Sequence, residues 1–322
     1  MSEYIIFTDK LYSCEYYASV QNPVQPVKHV LEDINFTAYQ GQLWSILGSS
    51  IFEIKLLLEI MANARTYEKG KLMIAGFDTT KKKRTILPEV FYIGSTNMAF
   101  GNMNVLEYLM FITSYSHREA IDRQEYLLNY LIKVDLGYIC LTPISLLNEQ
   151  ERSIIILVAA MLSDSILIIM NLPRLMYDQK EINSINKIVS QIQYLNKTII
   201  ISTQCYELAQ LISSHICYID KGRILYNNTL NKFLDEYDKV NYLIGADDFN
   251  YIAQTLKFAL PQFEYQIEDN IMQIIDNTES KKSASMLFQT ISSFNITLNY
   301  VKKSKKNIKN SIQGLMKLHD IR

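Results

Sequence analysis

Leu47-Gly48-Ser49-Ser50-Ile51-Phe52-Glu53-Ile54-Lys55-Leu56-Leu57 is the stretch on which the reading of this chain turns. Residues 42–47 read as a strand, and those from about Ile54 onward as a helix. A short loop between a strand and a helix is where a phosphate-binding sequence of the form G-x-x-x-x-G-K-[ST] operates. Its glycines let backbone N–H groups wrap the phosphates, its lysine meets their charge, and its hydroxyl holds Mg²⁺. Laid without gaps on Gly48, the second glycine, the lysine and the hydroxyl fall on Glu53, Ile54 and Lys55. A carboxylate stands in the loop and an isoleucine where the cation belongs. Lys55 lies one position late, turned by about 100° around a helix axis, and does not replace the missing lysine. The vestige of the loop comprises Gly48, Ser49, Ser50, Ile54 and Lys55.

Working outward, Gly70-Lys71-Leu72-Met73-Ile74-Ala75-Gly76 reads as a turn followed by a short strand. The run Ile166-Leu167-Ile168-Ile169-Met170-Asn171-Leu172-Pro173 is apolar without alternation, the pattern of a parallel strand covered on both faces. Thr198-Ile199-Ile200-Ile201-Ser202-Thr203-Gln204 repeats it, and Ile219-Asp220-Lys221-Gly222-Arg223-Ile224-Leu225 reads as a hairpin. Helical patterns fall at 105–113, 118–134, 151–162 and 179–195. Strands alternating with helices imply a parallel sheet with helices on both sides.

In order and spacing, these blocks resemble the ATP-binding subunit of ABC transporters over roughly the first three-quarters of the chain. The resemblance implies an α/β domain of the P-loop NTPase type at 1–236, with a helical subdomain at about 91–145 that meets a membrane subunit. Beyond, the chain restarts as a small α+β unit at 237–322, with strands at 240–244, 271–275 and 296–301 and helices at 249–260, 284–294 and 308–318. Within its last helix, the stretch from Ser311 to Leu318 is similar to the ending of the C-terminal accessory domain of bacterial ABC exporters.

Carried onto this chain, the family's motifs are degenerate. The Mg²⁺-holding aspartate of the Walker B strand aligns with Asn171, which brings no charge, and the water-polarising glutamate with Leu172, which can neither accept a proton nor orient water. The glutamine of the loop after the strand at 90–93 aligns with Ser95, and the switch histidine with Gln204. Gln204 stays open between a residual contact and a polar residue opening a helix. The signature sequence aligns with Leu147-Asn148-Glu149-Gln150-Glu151; Asn148 with Glu151 three residues later is instead the pattern of a helix capping box, and both glutamates repel a triphosphate. Asp178 reads as a helix cap. Adenine stacking would fall to Tyr12, Tyr16 or Tyr17, against the background of 22 tyrosines in the chain.

Composition narrows the classes further. With 32 Lys and Arg against 33 Asp and Glu, the net charge is −1, and 48% of residues are hydrophobic, so neither a disordered tail nor a basic nucleic-acid binder is expected. The basic run Lys81-Lys82-Lys83-Arg84 reads as a solvated loop. Four cysteines lack C-x-x-C spacing and read as buried thiols, with no metal expected. No signal peptide or membrane-length apolar run is recognised.

The resulting expectation is a nucleotide-binding-type ABC subunit, catalytically degenerate. It is cytoplasmic and peripheral to the membrane, and it docks on a membrane permease as a structural or regulatory part of an exporter. It pairs with another ABC ATPase subunit in a homo- or heterodimer and has no nucleic-acid partner. ATP and Mg²⁺ are cofactors only as far as the resemblance implies them. Two alternatives remain: an active or weakly active ATP-hydrolysing subunit, and an adaptor that uses the fold without a transporter.

Overall fold

The structure, a computed structural model, describes residues 4–15, 27–94, 101–114, 119–172, 174–268, 271–276, 283–294, 296 and 298–319. The chain divides into two units, Met1–Thr229 and Leu230–Arg322.

In the first unit, half-buried β1 (Tyr4–Glu15) and β2 (Val27–Tyr39) form an antiparallel pair, followed by β3 (Leu43–Gly48) and α1 (Ile51–Met61). Next come β4 (Lys69–Ile74), β5 (Phe77–Asp78), the short α2 (Lys83–Ile86), β6 (Val90–Ile93), α3 (Val105–Ile112) and α4 (Ala120–Lys133). The unit continues with α5 (Glu149–Leu162), β7 (Leu167–Leu172), α6 (Gln179–Tyr194), β8 (Thr198–Thr203), α7 (Tyr206–Ile212), β9 (His215–Asp220) and β10 (Arg223–Thr229). One sheet is antiparallel in the order β2-β1-β4-β5. The other has the order β10-β9-β3-β8-β7-β6, parallel from β9 to β6, with β10 folding back on β9.

The continuous apolar runs become central strands because both faces of the parallel sheet are covered: all six residues of β7 and of β8 are buried. One face packs on a core that includes Ile155, Leu157, Ile185 and Val189 of α5 and α6, the other on a core that includes Leu57 and Ile60 of α1. Three helix starts are fixed by the same local device. Asn104, Asn148 and Asp178 cap α3, α5 and α6, each in a capping box with the glutamate three residues on. Glu181 of the third box is 4% exposed and pairs with Arg174 at 2.6 Å.

The second unit holds α8 (Leu230–Tyr237), β11 (Val240–Gly245), α9 (Phe249–Ala259), β12 (Phe263–Glu268), β13 (Ile271–Asp276), α10 (Ser283–Ser293), β14 (Tyr300–Lys303) and α11 (Ile308–Leu318). Its antiparallel sheet runs β12-β13-β11-β14. From β11 to β14 this is a βαββαβ unit of the ferredoxin-like kind, closed over a core of Ile244, Leu256, Met272, Ile274 and Leu287. α8 belongs here, ahead of the boundary at 236 that the sequence suggests. Gly314 of α11 lies so close to α8 that a Cβ on it would meet the Tyr237 carbonyl at 2.1 Å. The buried Asp238 then accepts from the N–H groups of Asn307 at 2.7 Å and Val240 at 3.0 Å. Two readings need correction. The strand placed at 296–301 is Tyr300–Lys303, whose register is set by pairing with β11, and β12 was not anticipated.

Candidate functional site: a closed phosphate loop

β3 leads straight into α1 with only Ser49 and Ser50 between them. The helix expected from about Ile54 begins at Ile51, three residues sooner. Ser50 accepts from the Glu53 N–H at 3.3 Å as its cap, and no glycine between 51 and 55 opposes helical geometry. A phosphate loop needs those residues uncoiled, with N–H groups turned inward. Here Glu53 and Ile54 donate theirs to Ser50 at the head of a helix.

The aligned residues take up structural tasks. Gly48 ends β3 where a Cβ would meet the Ile219 carbonyl at 2.4 Å, so strand packing alone accounts for this glycine. The Ser49 hydroxyl bonds the Asp220 carboxylate at the end of β9. Ile54 is 7% exposed, in the core under the sheet. Lys55 is out in solvent, 3.8 Å from Glu59 one turn along the helix.

Glu53, the carboxylate foreign to the motif, accepts from the Gly222 N–H at 3.0 Å. Gly222 is held on three sides. It occupies the hairpin turn with φ +75, next to Lys221 at φ 49, the left-handed pair that a two-residue turn between right-twisted strands requires. A Cβ on it would meet the Val30 carbonyl at 2.3 Å, and its own carbonyl accepts from the Glu32 N–H at 2.8 Å. The carboxylates of Glu53 and Asp220 thus bracket the junction of β3 and α1, and one Asp220 oxygen, Oδ2, is buried with no partner. A triphosphate brought here meets two carboxylates. Sequence reasoning flagged Glu53 as out of place and missed its bond to the hairpin, which joins residues 169 positions apart.

At the ends of the neighbouring strands, Asn171 and Leu172 stand opposite Ser202 and Thr203. Asn171 is buried, and its Oδ1 accepts from the Ser202 hydroxyl at 2.7 Å, a neutral pair within the sheet. Leu172 is 5% exposed and packs in the core. Gln204 follows β8, half-buried. At the signature position, Leu147 is buried, Asn148 accepts from the Glu151 N–H at 2.8 Å, and Glu151 accepts from the Asn148 N–H at 3.1 Å; Glu149 and Gln150 form the first turn of α5. Glu151 also accepts from the Tyr138 hydroxyl at 3.0 Å; partial burial first, and this bond after it, push that phenol's pKa up. Tyr12 lies on β1, opposite Lys69 of β4. Tyr16, Tyr17 and Ser95 fall outside the described residues. Among the described residues no cluster of three metal-ligating side chains exists. The residues present do not fit Mg-ATP: the loop lacks an inward cation, the Glu53 and Ile54 N–H groups are taken by Ser50, and the metal-holding position is a neutral amide already bonded.

No protein-family model matches the chain. The phosphonates import ATP-binding protein PhnC of Fusobacterium nucleatum is 24% identical over 241 residues, 71% of this chain and 93% of that protein. The ABC transporter ATP-binding protein NatA of Bacillus subtilis is 21% identical over 237 residues, 70% of this chain and 89% of that protein. A bacterial ABC transporter cassette solved as a dimer superposes with a TM-score of 0.60 at 16% identity, over 70% of this chain and 98% of that one. The fold is that of the ABC ATP-binding subunits. The ABC relatives include one named for import, so their names lend no support to the exporter type that the C-terminal stretch suggests. Among the described residues no helix is long and apolar enough to cross a membrane.

Proposed function

We propose that the chain is an ABC transporter subunit of the ATP-binding type that has given up its nucleotide site and serves as a structural or regulatory component beside a membrane permease. One observation carries the reading. The strand-to-helix junction that should be a glycine loop is a capped helix start, with Glu53 bonded to the Gly222 N–H. A carboxylate engaged with a neighbouring hairpin supports neither phosphate binding nor its recovery by a small rearrangement. Asn171, Leu172 and Gln204 support the same reading independently, because charge, general base and switch histidine are all replaced.

The partners follow from the fold by analogy. The helical insert between β6 and α5 would meet the permease on the cytoplasmic side, and a second ABC-type subunit would face the sheet's loop end. In a mixed pair this chain cripples one half of each composite site; in a homodimer neither site remains.

Gentle detergent extraction and affinity isolation of the tagged native protein test the role. Recovery with a membrane permease supports it. Recovery without any membrane subunit favours an adaptor instead, and turnover of ATP by the purified chain, lost on mutation next to Gly48, contradicts the degenerate site.

A further inference from the structure

Trp44, the only tryptophan of the chain, forms part of a cavity of about 390 Å³ at the opposite end of β3 from the phosphate loop. The four steps from Trp44 to Gly48 separate the two by about 13 Å at roughly 3.3 Å per residue. The volume falls in the range of small-ligand sites.

Part of the lining is rigid. The rings of Trp44 and His215 stack with centroids 4.6 Å apart. Gln42 ties both down: its Oε1 accepts from the Trp44 Nε1–H at 2.9 Å, and its Nε2 lies 3.3 Å from His215 Nε2. The Ser214 hydroxyl is 2.8 Å from His215 Nδ1. With Gln42 Nε2 donating, His215 is the neutral Nδ1–H tautomer, and both its nitrogens are occupied.

The rest of the lining has a definite chemical bias. Phe7 and Tyr39 add aromatic surface, and Asp9 adds an exposed carboxylate. Among the described residues no lysine or arginine lines the cavity; Lys10 and Lys71, the chain and cross-strand neighbours of Asp9, are not part of its lining. Asn227 supplies a buried acceptor. Its Nδ2 reaches the Asn35 carbonyl at 3.4 Å, a long contact, and its Oδ1 is buried without a partner. Buried acceptors are rarely left unpaired. Aromatic faces with a carboxylate and an orphan acceptor, and no cation, match a ligand that brings positive charge and N–H donors.

We propose that this cavity binds a protonated organic amine of polyamine size, with Asp9 meeting its charge, Asn227 Oδ1 accepting an N–H, and Phe7 and Tyr39 covering its methylenes. The site is independent of the nucleotide reading.

The test uses the full chain at pH 8, where His215 is neutral, and titrates spermidine, glucose and inorganic phosphate. Trp44 emission and calorimetry are followed together, so that a ligand silent in fluorescence is still registered. Saturable spermidine binding is expected, weakened at least tenfold in Asp9→Asn and in Asn227→Ala but not in the remote surface variant Asp122→Asn. Absence of saturable spermidine binding by both readouts overturns the proposal. So does equal weakening by Asp122→Asn, which marks diffuse charge attraction, or saturable glucose binding in place of spermidine, which marks a polyol site.

Discussion

The Gly222 N–H donates to the Glu53 carboxylate at 3.0 Å, joining the first turn of α1 to the hairpin between β9 and β10. Gly222 is buried, so removing the acceptor strands a donor away from water. Glu53→Ala is expected to lower unfolding stability by about 1–3 kcal/mol, measured by urea denaturation. Glu53→Gln keeps an acceptor and should cost less than half as much. Equal losses for both variants would mean that charge, and not the hydrogen bond, makes the tie.

Arg174 and Glu181 give a second stability prediction. Their side chains are 30% and 5% exposed and meet at 2.6 Å, while Glu181 also accepts from the Asp178 N–H at 2.8 Å. Arg174→Ala leaves that carboxylate uncompensated inside the protein, and a loss of about 3 kcal/mol is expected, the low end for breaking a buried pair. A change under about 0.5 kcal/mol, the usual size for a surface site, would show that water replaces the guanidinium freely.

Acid should weaken the protein through His215, whose burial pulls its pKa below the ordinary 6.5. Below about that pH the unfolded chain takes up a proton that the folded chain resists, so stability falls as pH drops from there and is complete above it. The Gln42 contact adds to this, because protonation turns the acceptor at Nε2 into a second donor. Melting curves between pH 7.5 and 5.5, followed by Trp44 emission, should decline more steeply for the native chain than for His215→Gln. Parallel declines would assign the acid sensitivity elsewhere.

What could be read from sequence, and what could not, follows from how local the determinants are. The runs at Leu167–Leu172 and Thr198–Thr203 announce buried parallel strands, because a strand covered on both faces has no polar alternation. The Asn148 and Asp178 caps are equally local, since a side chain and the N–H three residues on settle them. α1 starts three residues ahead of the sequence expectation because residues 51–55 have no glycine to form a family-type loop, and Ser50 caps the helix there. β12, Phe263–Glu268, alternates apolar and polar residues as a half-buried edge strand does, so its signal was present in the sequence but six residues long and without an apolar run. Glu53 with Gly222, and Trp44 with His215, are set by tertiary pairing of distant strands. No spacing in one sequence encodes such contacts.

Restoring the loop probes the register. Ile51→Gly, Glu53→Gly, Ile54→Lys and Lys55→Ser together recreate G-x-x-x-x-G-K-S on Gly48. The chain should still fold but melt lower, because Glu53 releases the hairpin and a lysine replaces a core isoleucine that is 7% exposed. It should gain Mg-ATP binding without turnover, since Leu172 still cannot polarise water and Gln204 still lacks the histidine's charge. A folded variant with no measurable binding would show that the loop register on Gly48 is wrong.

The most direct measurement is calorimetric titration of the unaltered chain with Mg-ATP. A head-on approach of triphosphate to Glu53 and Asp220, with no inward lysine and no free glycine N–H groups, predicts no saturable heat at millimolar nucleotide. Micromolar affinity, abolished by substitution at Gly48 or Ser49, would contradict the account and return the chain to the nucleotide-binding subunits.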